Sequence, residues 1–213
     1  MIQPLTKDMR FWDKLAARYA AQPISDPASY QTKLEVTQSY LRPDMTVLEL
    51  GCGTGQTALI HAPHVQRMVA TDLSGGMINQ ARTRAAASNV DNVEFKQASL
   101  EDLEAPANSF DAVLALNLLH LVPDPNAALK KIQSLLKPGG YFIQSTMCLG
   151  DDLAFMALLA PIGRALNLIP HISVFTTTKL TGLVQETGFQ IVHQWCPGKR
   201  KASFIVAHKA ASQ

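Results

Sequence analysis

The sequence predicts an α/β protein built on a doubly wound, mostly parallel sheet, and three observations lead there. Residues 47–50 form a short, mostly apolar run, followed at once by Gly51, Gly53 and Gly55 and then by helix-compatible residues 56–61. That order is strand, glycine turn, helix, the arrangement that presents a helix N-terminus and open backbone to a ligand at a strand's carboxyl end. Residues 66–71 form a second strand ending on Asp72, about 20 residues after Gly51, the separation of a ribose-binding carboxylate in a nucleotide-binding βαβ unit. Residues 110–116 are a third, buried-type run with Asn117 at the carboxyl end, where parallel sheets hold ligands.

Composition narrows the function classes. The chain has 213 residues, 47% hydrophobic and 17% charged, with a net charge of +2. That suits one well-packed globular domain and gives no electrostatic case for nucleic acid. Cys52, Cys148 and Cys196 are widely separated, without a C-x-x-C pair, which points away from a zinc site or disulfide framework and toward a reducing, cytoplasmic setting. Lys7, Asp8, Arg10 and Asp13 near the N-terminus do not make a secretory signal, and no apolar run is long enough for a membrane span.

In chain order, residues 8–22 read as an amphipathic helix with Trp12, Leu15, Ala16, Tyr19 and Ala20 on one face. After a loop with two prolines, a second helix is expected over residues 30–41, ending before Pro43. Ser74 is the expected N-cap of the helix after the second strand, whose apolar face carries Met77, Ile78 and Ala81. Residues 93–97 alternate as a strand. Asp124-Pro125 opens a helix that Lys137-Pro138-Gly139-Gly140 stops, and residues 141–146 form a fifth strand. Asp151-Asp152 is expected to cap an apolar helix that Pro161 kinks or ends. A last helix over residues 178–186 leads to strands 189–195 and 202–207, joined by a turn in which Lys199-Arg200-Lys201 is a solvated charge run.

The ligand class comes from Glu49. A carboxylate just before the turn would repel a diphosphate but accept hydrogen bonds from a cationic group, so a dinucleotide such as NAD is disfavoured. Glu49-Leu50-Gly51-Cys52-Gly53-Thr54-Gly55 resembles the first motif of the class I S-adenosylmethionine-dependent methyltransferases, of the small-molecule type. Over residues 45–208 the resemblance implies a Rossmann-like, seven-stranded sheet whose last strand is antiparallel. It implies S-adenosylmethionine as cofactor and S-adenosylhomocysteine as product. Contacts would come from Glu49, Gly51, Cys52, Gly53 and Gly55, from Asp72 on the ribose, and from Leu73 and Met77 on the adenine. Where the family has an adenine-binding aspartate this chain has Ser99, whose hydroxyl is expected to take that place beside the Leu100 backbone; Asn117 completes the set. Such N-terminal helices often close over the cofactor, and Tyr19 is the candidate aromatic.

The organisation expected is a single domain, residues 1–213. It comprises a helical cap (1–44), a cofactor-binding core (45–147), a lid-like insertion (148–174) and a C-terminal helix and strand pair (175–213). Phe155 and Met156 are expected to wall the acceptor site, and His120 and His171 are candidate bases, with no catalytic residue assigned and no metal site. The acceptor is expected to be a small molecule, with homodimer formation left open. The alternatives are a methyltransferase acting on RNA or protein, or a cofactor-binding module without catalysis.

Overall fold

The computed structural model describes residues 6–166 and 168–211. Seven strands form one sheet in the order β3-β2-β1-β4-β5-β7-β6. Strands β1 (Thr46–Leu50), β2 (Arg67–Asp72), β3 (Val93–Gln97), β4 (Phe110–Leu116) and β5 (Leu136–Met147) pair in parallel. Strand β7 (Ala202–Lys209) lies antiparallel between β5 and β6 (Phe189–Trp195). The order reverses between β1 and β4, so the ends of both strands open onto one crevice.

Alternation along the strands builds two cores. Leu48, Leu50, Val113, Ala115, Phe142, Ile205 and Ala207 face α5 (Pro125–Leu135) and α7 (Thr177–Glu186). Val47, Ala112, Leu114, Ile143, Phe204 and Val206 face α3 (Gln56–His61) and α4 (Gly75–Ala86). Burial on both faces is the reason these strands read as nearly unbroken apolar runs.

The caps follow side-chain chemistry. Ser74 accepts from Met77 N and starts α4; Asp124, with Pro125 behind it, starts α5. The N-terminal helix α1 (Lys7–Ala21) is capped by Thr6 and packs on α4. There Asp13 Oδ1 accepts from Ser74 Oγ (2.6 Å) and Gly76 N (2.9 Å). A Cβ on Gly76 would stand 3.1 Å from Ala16 and 3.2 Å from the Asp13 backbone, so glycine sets the closeness of the two helices.

Three expectations are corrected and a fourth is narrowed. Helix α2 (Pro27–Ser39) begins earlier than residue 30, because Asp26 caps it and Pro27 occupies its first turn. Strand β5 begins at Leu136 rather than Tyr141; the Pro138–Gly140 turn is absorbed as a register shift against β4, from Phe110↔Leu136 to Ala112↔Tyr141. Asp151 and Asp152 cap no helix of their own. Asp151 accepts from Thr177 N and Oγ1 at the start of α7, and Asp152 accepts from Arg200 N. The apolar helix α6 (Met156–Ala165) runs through Pro161 without ending there. Among the described residues no helix is long and apolar enough to cross a membrane.

Candidate functional site

A cavity of about 850 Å3 lies over the carboxyl ends of β1, β2, β4 and β5 and is roofed by α1 and α2. Its floor is the turn after β1. Gly53 has φ 53°, and a Cβ there would come within 4.0 Å of Tyr19 Cε1, so the turn's bare backbone faces the aromatic ring from α1. Gly55, with φ 75°, serves packing instead: a Cβ would fall 2.8 Å from both Ala81 and Phe95. The turn is held by Cys52 N on Thr71 O (2.9 Å) and by Gly53 N on Asp72 Oδ2 (2.9 Å). Arg84 Nη1 reaches across from α4 to Thr54 O and Oγ1, both at 2.8 Å.

Glu49 is 2% exposed, and its Oε2 has no hydrogen-bond partner within the protein. Burial, assisted by the negative charge of Asp72, pushes its pKa up to about 8 from 4.5. A buried carboxyl oxygen without a donor is costly unless a ligand supplies one, and the shift marks it as a functional group. Asp72 is buried too, and burial raises its pKa, against the lowering effect of Ser74 N on Oδ1 and Gly53 N on Oδ2, both at 2.9 Å. Each of its oxygens keeps a second lone pair for a ligand hydroxyl.

The expected site residues are mostly brought together. Tyr19, Glu49, Gly51, Cys52, Gly53, Asp72, Leu73, Met77, Leu100 and Asn117 all line the cavity. Gly55 and Ser99 do not. Gly55 sits behind the turn against α4 and β3. Ser99 Oγ donates to Asp102 Oδ2 (2.7 Å) and accepts from Asp102 N (3.1 Å), so it closes a local turn, while its neighbours Ala98 and Leu100 face inward.

Neither histidine is on the cavity wall. His120 is held neutral by burial, its pKa lowered to about 4, and its Nδ1 lacks a partner. His171 Nε2 is within 3.0 Å of Ser173 Oγ, and its backbone N donates to Asp8 Oδ1 (2.9 Å). The expected lid residues Phe155 and Met156 are also off the wall. Phe155 is 55% and Leu158 77% exposed, because α6 turns its apolar face outward and contributes only Arg164 to the cavity, paired at 3.1 Å with Asp8 of α1.

Several wall residues lie outside the motifs that the sequence offers. Ser29, Tyr30, Lys33, Leu34 and Thr37 line up on one face of α2, at spacings that repeat every turn. Tyr30 Oη is 3.0 Å from Thr57 Oγ1, and burial raises its pKa. Lys33 Nζ donates to Ser145 Oγ (2.8 Å), which leans on Asn117 Oδ1 (3.4 Å). The 199–201 turn is partly solvated, as expected, but also docks: Lys201 Nζ pairs with Asp26 (2.7 Å), and Arg200 and Lys201 join the wall. A helical period at Tyr30, Lys33 and Thr37 was the available clue.

A doubly wound sheet with a glycine turn, a buried acid beside it and a second acid on the next strand defines an α/β protein whose crevice lies at the switch point, the place where such sheets hold nucleoside-type ligands. A family model described as a methyltransferase domain matches residues 17–194, and the chain belongs to that family. A ubiquinone biosynthesis O-methyltransferase from Xanthomonas axonopodis pv. citri is 36% identical over 140 residues, covering 65% of this chain and 56% of the relative. A malonyl-[acyl-carrier protein] O-methyltransferase from Paenibacillus sp. is 30% identical over 155 residues, covering 69% and 56%. The chain thus spans about half the length of the curated relatives it matches. The solved structure of the YcgJ protein from Bacillus subtilis aligns with a TM-score of 0.71 over 85% of this chain and 100% of that one, at 19% identity, a likeness of fold alone.

Proposed function

We propose that the protein is an S-adenosylmethionine-dependent methyltransferase that acts on a small-molecule acceptor. One observation carries the reading: the unpartnered, fully enclosed Glu49 oxygen at the edge of the glycine turn, in the same cavity as Asp72. The residues fit that cofactor. Glu49 accepts from its ammonium group, Gly53 lets it lie against bare backbone, and Asp72 accepts from the ribose hydroxyls. Leu73, Met77 and Leu100 flank the adenine, and Tyr19 covers it from α1.

Held by these residues, the cofactor would supply a sulfonium-activated methyl group for transfer to the acceptor. The chain's own task is to align the acceptor and exclude water. Tyr19, Tyr30 and Leu34 from the cap and Met147 from β5 give the cavity its dry walls. An oxygen acceptor is the favoured type, since two relatives bear O-methyltransferase names. No base is assigned to either histidine. Residues 148–174 act as a side wall through Arg164 and Pro170, within one cytoplasmic domain.

Calorimetry tests the reading: S-adenosylhomocysteine should bind and NAD should not. Release of S-adenosylhomocysteine from S-adenosylmethionine in a metabolite extract should follow. Tight NAD binding without a S-adenosylhomocysteine signal would overturn it.

A further inference from the structure

Lys33 is a half-buried cation whose hydrogen-bond partner is a neutral hydroxyl. It projects from α2 into the cavity, where Nζ donates to Ser145 Oγ at 2.8 Å. Ser145 ends up there because it sits opposite Leu116 in the β4–β5 register, and Asn117 N donates to its carbonyl at 2.7 Å. The carboxylates nearest this end of the cavity are already matched: Asp26 pairs with Lys201, and Asp8 pairs with Arg164. Among the described residues no carboxylate forms an ion pair with Lys33. Burial accordingly lowers its pKa, with the more distant Asp26 only partly compensating. A desolvated ammonium needs an anion, and neither the fold nor the proposed cofactor contacts use this one.

Beyond these polar groups the cavity also has apolar wall. Leu34, Leu121, Val122 and Met147 line the same cavity as Lys33. A ligand that satisfies both the cation and these walls has an apolar body and one acidic group. Asp72, and Glu49 once ionised by a bound ammonium group, would repel that group, and with Arg164 and Lys201 already paired this favours Lys33 as its partner.

We propose that Lys33 is a specificity-determining residue of the acceptor site, and that the acceptor is an apolar carboxylic acid whose carboxylate is held by the Lys33 ammonium group. This rests on the methyltransferase reading for the word acceptor; the binding claim itself is independent of it. Ser145 and Asn117 are positioning residues that hold Nζ in place.

The test is calorimetry on matched pairs, octanoate against octanamide and 4-hydroxybenzoate against 4-hydroxybenzamide, with the protein saturated in S-adenosylhomocysteine. At least one acid should bind about tenfold or more tighter than its amide. Lys33→Met and Lys33→Gln should abolish that preference, and Lys33→Arg should keep most of it. S-adenosylhomocysteine affinity should stay within about twofold in any variant that is folded, so a neutral variant that binds it is a valid reporter. Equal binding of acid and amide, no binding of either acid, or a preference that survives in both neutral variants would overturn the proposal. If wild-type protein fails to bind S-adenosylhomocysteine, the methyltransferase reading falls, and the same titrations without it still judge Lys33.

Discussion

At the scale of single residues, Glu49 governs ligand charge. Its carboxyl is protonated below about pH 8 without ligand, and an arriving ammonium group would favour the ionised form. Cofactor binding at neutral pH should therefore release a proton and tighten as pH rises toward about 8. Calorimetry in buffers of different ionisation enthalpy measures the release; Glu49→Gln should eliminate it and weaken binding by about 1.5–3 kcal/mol. Unaltered affinity in Glu49→Gln would place the ammonium elsewhere. Ser99 leads to a reversed expectation. By analogy with the family, Ser99→Asp restores an adenine contact and tightens binding. In the structure Ser99 Oγ is 2.7 Å from the Asp102 carboxylate, so a second carboxylate at 99 would face like charge and leave the turn. Ser99→Asp should lower thermal stability and leave S-adenosylhomocysteine affinity equal or weaker; tighter binding would show that the turn can rearrange to present residue 99 to the cavity.

Among the elements, α1, α2 and α6 line the side of the cavity proposed for the acceptor, α6 through Arg164. Asp8 ties α1 to α6 through Arg164 and to the following loop through His171 N. Arg164→Ala should loosen that closure and raise the acceptor KM, with S-adenosylhomocysteine binding little changed. The ion pair is partly exposed, so the stability loss should not exceed about 1 kcal/mol. Phe155→Ala, at the exposed N-cap of the same helix, should leave the acceptor KM unaltered. If Phe155→Ala changes KM as much as Arg164→Ala does, α6 turns its apolar face inward during turnover.

For the whole molecule, buried titratable groups set the pH range of stability in opposite directions. His61 is 0% exposed, neither ring nitrogen has a partner, and burial with the nearby His64 lowers its pKa from 6.5 to about 4. His120 is depressed from 6.5 to about 4 in the same way. A group with a depressed folded pKa supports the fold above its unfolded value; that support is lost as pH falls from 6.5 to about 4. Glu49 has a raised pKa, so its contribution is present below 4.5 and lost as pH rises toward about 8. The two limbs overlap, and with two histidines set against one carboxyl the ligand-free stability should peak near the upper end of the overlap, at about pH 6.5. His61→Leu removes two unpartnered nitrogens and should flatten the acid limb by roughly 1–3 kcal/mol, read from thermal melts across pH. An acid limb unchanged in His61→Leu would assign it to other groups.

What the sequence by itself determined is local. Apolar runs at Val47, Phe110 and their neighbours mark strands buried on both faces, alternate glycines mark the turn, and Ser74 and Asp124 mark helix starts. Each of these depends on backbone period or on a side chain within three residues, so they can be read without knowing what packs against them. The half of the cavity proposed for the cofactor shares that property, since Glu49, Gly51, Gly53 and Asp72 are fixed at strand ends by the sheet itself. The tertiary structure decided the rest. Helix α2 shows no apolar stripe, because the face with Tyr30, Lys33 and Thr37 looks into the cavity rather than a core. Ser99, His120 and Phe155 sit in segments that border the cavity, but their side chains are turned from it by Asp102, by burial beside Leu119 and by the roll of α6. Lys33 acquires its role only where the β4–β5 register brings Ser145 beside Asn117, across more than a hundred residues of chain, a distance over which no local pattern carries information.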